Sequence, residues 1–401
     1  MTSRIVILGD RGIPAKYGGF STLIEEVATR LVRDHAMSVT VYCRRSYYQE
    51  RPAEHRGVRC VYAPAPGGKT FESIINSNLT FWHAAFFGRY DLAFIVDPGN
   101  APFVAPLVIR GIPRIMHTDG MGWKRSKWGA LQQAYYKWSE RICAAASTWL
   151  VTDSRVMSRY YRDEYGADST FIPYGHVTGP EPSDEALRRF GVEHGGYLLA
   201  VARMEPENNL DLIIREYKRT ASRRPLLVVG SSPYRSDYAD RVLALADARV
   251  RCVGSVFEPE ILNGLYRNCY LYVHGHEVGG TNPSLLRAMG AGAACLPIDV
   301  PFHREVLGDH NPYFAKEPGA LAAEIERLER EPDTVRALAA SARSRAVAHY
   351  RWDAVAAAYA ELFREVLRAS RSGQAFQAAP GFEPYRPLDF SGSAAADSSL
   401  T

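Results

Sequence analysis

The sequence predicts an α/β chain of two doubly wound domains facing each other across a cleft. Three observations carry this. Short apolar runs alternate with helical patterns, the mark of parallel sheets covered by helices on both faces. The alternation stops in a polar stretch, Val177 to Glu193, rich in Pro and Gly, and then restarts. The 401 residues are enough for two domains, and at 46% hydrophobic content each can bury a core.

The first set of strands reads "RIVILG", "VTVYCR", "LAFIV", "RIMHTD", "TWLVTD" and "STFIPYG". "LIEEVATRLVRD" is the first helix, with Leu23, Val27, Leu31 and Val32 along one face. The second set reads "YLLAVA", "PLLVVG", "VRCVG", "LYVHG" and "ACLPI". These give a Rossmann-like first domain over residues 1–177, a linker over 178–193 and a second Rossmann-like domain over 194–350. A last helix covers 351–370. The remainder, 371–401, is rich in Gly, Ala, Ser and Pro and reads as disordered. Ligands of such folds bind beyond the carboxyl ends of the strands, so the site is expected where the two sets of strand ends face each other.

Composition excludes several classes. A net charge of +4 is too small to argue for nucleic acid. Cys43, Cys60, Cys143, Cys252, Cys269 and Cys295 are scattered without a C-x-x-C pair, so neither a disulfide framework nor a zinc site is expected, and a reducing cytoplasm fits. The opening residues read as a strand and not as a signal peptide. No apolar run approaches ~20 residues, so no membrane span is expected.

Five stretches carry candidate chemistry. "GDRGIPAKYGGF" follows the first strand, but Gly9, Gly12, Gly18 and Gly19 lack the dinucleotide spacing, which disfavours a Rossmann dehydrogenase. Gly18 and Gly19 can still let backbone approach a ligand closely; an ordinary strand-to-helix turn would read the same. "RIMHTDGMGW" sets His117 and Asp119 at a strand end, read as a buried pair that is either catalytic or structural. "VARMEPENN" sets Arg203 at a strand end, where its planar fork suits phosphate; an ion pair with Glu205 or Glu207 is the plainer alternative. "VHGHEVGGTNPSLLRAMGAG" joins a strand end, paired glycines and a helix capped by Asn282 with Pro283 at its first position. The first-turn amides of Ser284, Leu285 and Leu286 would suit a diphosphate. Arg287 shares that turn's face, and its cation opposes the helix dipole unless a phosphate or Glu277 partners it. Finally, "WKRSKWGALQQAYYKWSER" mixes Trp123, Trp128, Tyr135 and Trp138 with Lys124, Arg125, Lys127 and Lys137. It suits either a membrane surface or an ordinary partly buried helix.

The order of these segments resembles the large retaining glycosyltransferase family four, which has the GT-B fold. "LGDRGIPAKYGGFSTLIEEVA", "DGMGWKRSKWG", "ARMEPENNL", "VGSSPY" and "VHGHEVGGTNPSLLRAMGAG" resemble a bacterial, rhamnosyltransferase-like branch of it. The resemblance covers roughly residues 4 to 368. It implies metal-independent transfer of a hexosyl group, a 6-deoxyhexose such as rhamnose being favoured, from a nucleoside diphosphate sugar to a hydroxyl. The acceptor would be a glycan, a lipid-linked molecule or a small molecule. The sugar nucleotide is a co-substrate, and no cofactor is implied. Gly18 and Gly19 would lie near the diphosphate, His117 on the donor sugar, Arg203 on the diphosphate and Gly254 near the base. Asn282 to Leu286 would cradle phosphate, Ser284 and Leu285 among them, and Gly280 and Thr281 would also bind the donor. The final helix would cross back to the first domain. Four positions depart from the family. Asn208 stands near the place of a lysine. Gly279 and Arg287 replace two glutamates, the second of which binds ribose hydroxyls, and Glu277 is a candidate substitute for the first. Gly122 replaces an acid.

A non-catalytic nucleotide-sugar-binding or auxiliary subunit, or a phosphorylase or epimerase on the same fold, is the alternative. The expected location is the cytoplasm, with peripheral contact at the inner face of the membrane.

Overall fold

The computed structural model describes residues 2–15, 18–64, 72–124, 129–176, 185–232, 236–379 and 381–387. Eight strands form the first sheet: β1 (Arg4–Leu8), β2 (Ser38–Arg44), β3 (Glu54–His55), β4 (Val58–Ala63), β5 (Leu92–Val96), β6 (Arg114–Thr118), β7 (Trp149–Thr152) and β8 (Ser169–Phe171). Their order is β3-β4-β2-β1-β5-β6-β7-β8, parallel except for β3. The chain leaves β1 toward one edge and resumes at β5 on its other side, so the switch point lies between β1 and β5. The second sheet holds β9 (Leu198–Val201), β10 (Leu226–Val229), β11 (Val250–Cys252), β12 (Leu271–His274) and β13 (Cys295–Pro297) in the order β11-β10-β9-β12-β13. Its switch point lies between β9 and β12.

The helices of the first domain are α1 (Gly19–His35), α2 (Glu72–Phe87), α3 (Ala105–Ile109), α4 (Ala130–Ala146) and α5 (Arg155–Tyr165). Those of the second are α6 (Glu185–Phe190), α7 (Leu210–Arg219), α8 (Asp237–Ala244), α9 (Pro259–Asn268), α10 (Pro283–Ala291), α11 (Pro301–Leu307), α12 (Ala320–Arg330) and α13 (Pro332–His349). α14 (Trp352–Arg371) returns to pack on α1.

Strand alternation sorts each sheet into two faces. Val6 and Leu8 point into a core with Phe81 of α2, Leu107 of α3 and Cys143 of α4. Ile5 and Ile7 point the other way, onto α1 and α14. In the second sheet Leu198 and Ala200 meet α7, while Leu199 and Tyr272 share a core with α10. That last core also contains Ile5 and α14, so one apolar body runs through both domains.

Three elements differ from the sequence reading. β4 was not among the expected strands; exposed Arg59 between buried Val58 and Cys60 breaks its apolar run. The stretch expected as linker contains α6, which packs against α9. The tail expected to be disordered from 371 onward is packed in its described part. Phe376 meets Trp149 edge-on at 4.9 Å, Tyr385 meets Phe171 at 6.0 Å, and Glu383 pairs with Arg155 at 3.1 Å. Small residues dominate that stretch, and a few aromatic anchors suffice to hold it. Residues 388–401 lie outside the described residues.

Candidate active site

The two sheets meet along a seam formed by the loops at their carboxyl ends. Gly18 has φ +87° and starts α1. A Cβ on Gly19 would touch Pro283 Cγ at 3.0 Å and Tyr174 at 3.6 Å, so the first-domain glycine pair lies against the α10 entrance. A Cβ on Gly120 would fall 2.3 Å from Gly279 Cα, which puts two backbones in direct contact. The Thr281 hydroxyl donates to the Asp153 carbonyl, at the end of β7. The Glu305 carboxylate of α11 accepts the Arg155 amide at 2.9 Å and 3.0 Å, capping α5 from the opposite domain.

His117 is the penultimate residue of β6 and is buried. Its ring is surrounded by Phe20, Phe94, Tyr174 and Tyr359, with centroids 5.6 to 6.5 Å away. Neither ring nitrogen has a hydrogen-bond partner among the described residues. The expected His117–Asp119 pair is therefore not formed. The aromatic wall takes the space around the imidazole, and burial lowers its pKa to about 3. Asp119 sits half-buried two residues on; burial first, and then its charge, raise the pKa of Asp153 and Tyr174.

Asp153 is the acid the sequence reading missed. Its Oδ1 is buried without a partner. Burial foremost, then Asp119 and Glu305, push its pKa well above the ordinary carboxylate range. The signal was in the text: "VTD" ends β7 as "HTD" ends β6. His274, His276 and His303 form a second unforeseen group behind the α10 entrance, with centroids 4.3 Å and 4.9 Å apart. Burial pushes His274 well down and His303 to about 4.

The second-domain candidates are placed as follows. Arg203 is exposed at the carboxyl end of β9. Asn208 is buried and turned inward, its side-chain amide donating to the Arg203 carbonyl at 2.9 Å, so it braces the arginine's loop. Gly254 takes φ +76° after β11, and its carbonyl accepts the Gly230 amide at 2.8 Å. Asn282 caps α10 through the Ser284 amide at 3.1 Å, with Pro283 next, as expected. That cap occupies the Ser284 amide, and the Leu286 amide bonds the Asn282 carbonyl at 3.1 Å, so two of the three amides expected to face a diphosphate are engaged. Leu285 is buried. Gly280 and Thr281 are taken up by contact with Asp153.

Arg287 departs most from expectation. Its Nε donates to Asn263 Oδ1 at 2.7 Å, and a terminal nitrogen donates to the Pro259 carbonyl at 3.2 Å. The side chain turns sideways because α9 packs against α10 and offers oxygen acceptors within reach. Glu277 is not its partner, since it pairs with Lys316 at 2.7 Å. The place of Gly122 is backed by the Tyr136 ring, 3.1 Å from where a Cβ would stand.

Of the aromatic and basic stretch, Trp128, Arg125 and Lys127 lie outside the described residues. Trp123 donates to the Tyr160 hydroxyl at 3.0 Å, Tyr135 to the Gly99 carbonyl at 2.8 Å, and Lys137 pairs with Glu164 at 2.8 Å. Lys124 and Trp138 remain exposed. No helix among the described residues is long and apolar enough to cross a membrane.

Comparison with known proteins agrees with this arrangement. Among curated proteins none matches the chain in sequence. Among solved structures, sucrose-phosphate synthase from Thermosynechococcus elongatus superposes with a TM-score of 0.77 at 19% identity, covering 92% of this chain and 100% of that one. Anabaena HepE in complex with UDP-glucose gives 0.70 at 13% identity, covering 91% and 100%. A glycosyltransferase from Rickettsia africae gives 0.69 at 12% identity, covering 92% and 99%. These likenesses establish the GT-B fold. Residues 18–175 match the glycosyl transferase 4-like domain, and residues 195–331 match the glycosyl transferases group 1 family. With a glycosyl transferase 4-like half followed by a group 1 half, the chain is a glycosyltransferase that uses nucleotide sugars.

Proposed function

We propose that the chain transfers a hexosyl group from a nucleoside diphosphate sugar to a hydroxyl acceptor in the cytoplasm, with retention and without a metal. A 6-deoxyhexose such as rhamnose on a thymidine carrier is the favoured donor. The acceptor is a glycan, a lipid-linked molecule or a small molecule. The supporting observation is the meeting of Gly19 with Pro283 across the seam, next to Phe20, whose ring packs on His117.

In this reading the diphosphate leaves toward Arg203 and the start of α10, whose fixed charge and dipole favour the developing anion. A neutral His117 offers one donor and one acceptor nitrogen to sugar hydroxyls. Gly18 and Gly19 let backbone close on the donor, and Asp119 lies at the same strand end. With Gly279 and Arg287 in place of acids, the site has lost two acceptors for hydroxyls, which costs least for a deoxyribose carrier.

That same loss favours one competing reading, a subunit that binds nucleotide sugars without turnover. A donor panel screened by thermal shift, followed by NMR of the product, separates them. Transfer or donor hydrolysis with retained anomeric configuration supports the enzyme. Binding with no hydrolysis supports the subunit, and inversion removes the retaining mechanism. Sugar conversion without acceptor, or reversal by free phosphate, would instead mean an epimerase or a phosphorylase.

A further inference from the structure

Helix α2 is turned inside out. Its buried face carries Asn76, Ser77 and Thr80 together with Phe81, Ala84 and Ala85. Asn76 donates to the Pro64 carbonyl at 3.2 Å and Ser77 to Asn100 Oδ1 at 2.7 Å. Its exposed face carries Ile74, Ile75, Leu79, Trp82, Phe86 and Phe87. Ile75, Leu79, Trp82 and Phe86 recur at helical spacing and form one stripe. Phe87 is 80% exposed, and Trp82 stacks on Phe86 at 5.4 Å. α3 packs beside α2 and adds exposed Val108 and Ile109. On α4 Leu131, 81% exposed, and Trp138 are also exposed. An apolar surface of this extent on a folded chain marks an interaction site.

Charge indicates the occupant. No acid occurs between Glu72 and Asp91, or between Asp97 and Asp119, while Arg89 and Arg110 fall within these stretches. Both arginines are exposed, and the Arg110 guanidinium lies 5.7 Å over the Phe86 ring. A surface with Trp, Phe and aliphatic side chains at its centre and cations at its rim matches a bilayer with anionic headgroups. A second copy docked by the same face would bring cation against cation.

We propose that the face formed by α2 and α3 rests on an anionic lipid bilayer. α2 runs from the carboxyl edge of the first sheet, after β4, to its opposite edge before β5. The apolar face therefore starts at the cleft, and an acceptor carried in the bilayer is presented there. Only this last step rests on the transferase reading.

The test is flotation of the whole chain with phosphatidylcholine vesicles, with and without phosphatidylglycerol. The wild type should float with the anionic vesicles and less so as salt rises. Trp82→Ser with Phe86→Ser should lower partitioning by about tenfold or more. Arg89→Glu with Arg110→Glu, which leaves the apolar stripe in place, should lower it for anionic vesicles. Donor hydrolysis in solution should be unchanged in both variants, so failure of the transferase reading would show separately. Absence of flotation, equal binding of wild type and both variants, or a wild-type dimer in sedimentation that the double serine variant dissociates would overturn the proposal.

Discussion

The Cβ that Gly280 lacks would stand 1.9 Å from Asp153 Oδ1, across the boundary between the two domains. Gly280 is not in the left-handed backbone region, so space alone demands glycine there. Gly280→Ala should destabilise the chain by roughly 1–3 kcal/mol through the forced shift. Paired with Asp153→Ala, the same change should cost clearly less. Urea unfolding of the two singles and the double measures this, and strictly additive losses would mean the two residues do not press on each other.

Asp153 also predicts a pH dependence. Its folded pKa is raised, chiefly by burial. Above the ordinary value of 3.8 the native state retains a proton that the unfolded state has released, so stability falls as pH rises through that window. Asp153→Asn keeps the shape and removes the titration. Its melting temperature relative to wild type should rise between about pH 5 and about pH 8. A difference that stays constant with pH would show that the carboxyl is not strained in the native state.

Arg203 is predicted to act on the leaving group. Arg203→Ala should lower kcat/KM by about a hundredfold or more, the scale of losing one stabiliser of transition-state charge. Turnover should survive EDTA. A variant of near wild-type activity, or activity lost to chelation and restored by magnesium, would contradict the assignment.

Arg287 holds α10 to α9, and in the proposed donor site it supplies no acceptor for ribose hydroxyls. Arg287→Glu should lose about 1–3 kcal/mol of stability with these bonds. It should also shift donor preference from thymidine toward uridine carriers. Calorimetry with both donors at one salt concentration reads the second effect; an unchanged ratio would mean position 287 does not discriminate between carriers.

The strands that are buried on both faces were legible because their apolar runs are unbroken, as in "LAFIV" and "PLLVVG". β4 was not, because Arg59 faces solvent in its middle. The Asn282 cap followed from local chemistry alone, since its partner Ser284 is two residues away. The direction of Arg287 did not, because its acceptors lie some 24 residues or more distant and only helix packing brings them near. His117 could be placed at a strand end from sequence. Its aromatic surroundings come from α1, β5, the segment after β8 and α14, which no local pattern can assemble.

His176 stands where the chain leaves the first domain. Its amide and its imidazole Nδ1 both engage the Tyr350 carbonyl, at 2.5 Å and 2.6 Å, and a Cβ on neighbouring Gly175 would overlap the Trp352 ring. The chain passes between its halves twice, outward after β8 and homeward before α14, and here the two passages are fastened side by side. Both ring nitrogens of His117 are buried, so a donor that touched it would first have to displace one of the rings packed around it. The His176–Tyr350 corner would be the pivot of any parting of the halves, since it joins the two passages of the chain. Such a parting would keep those bonds and break the one from the Thr281 hydroxyl to the Asp153 carbonyl, which crosses the seam.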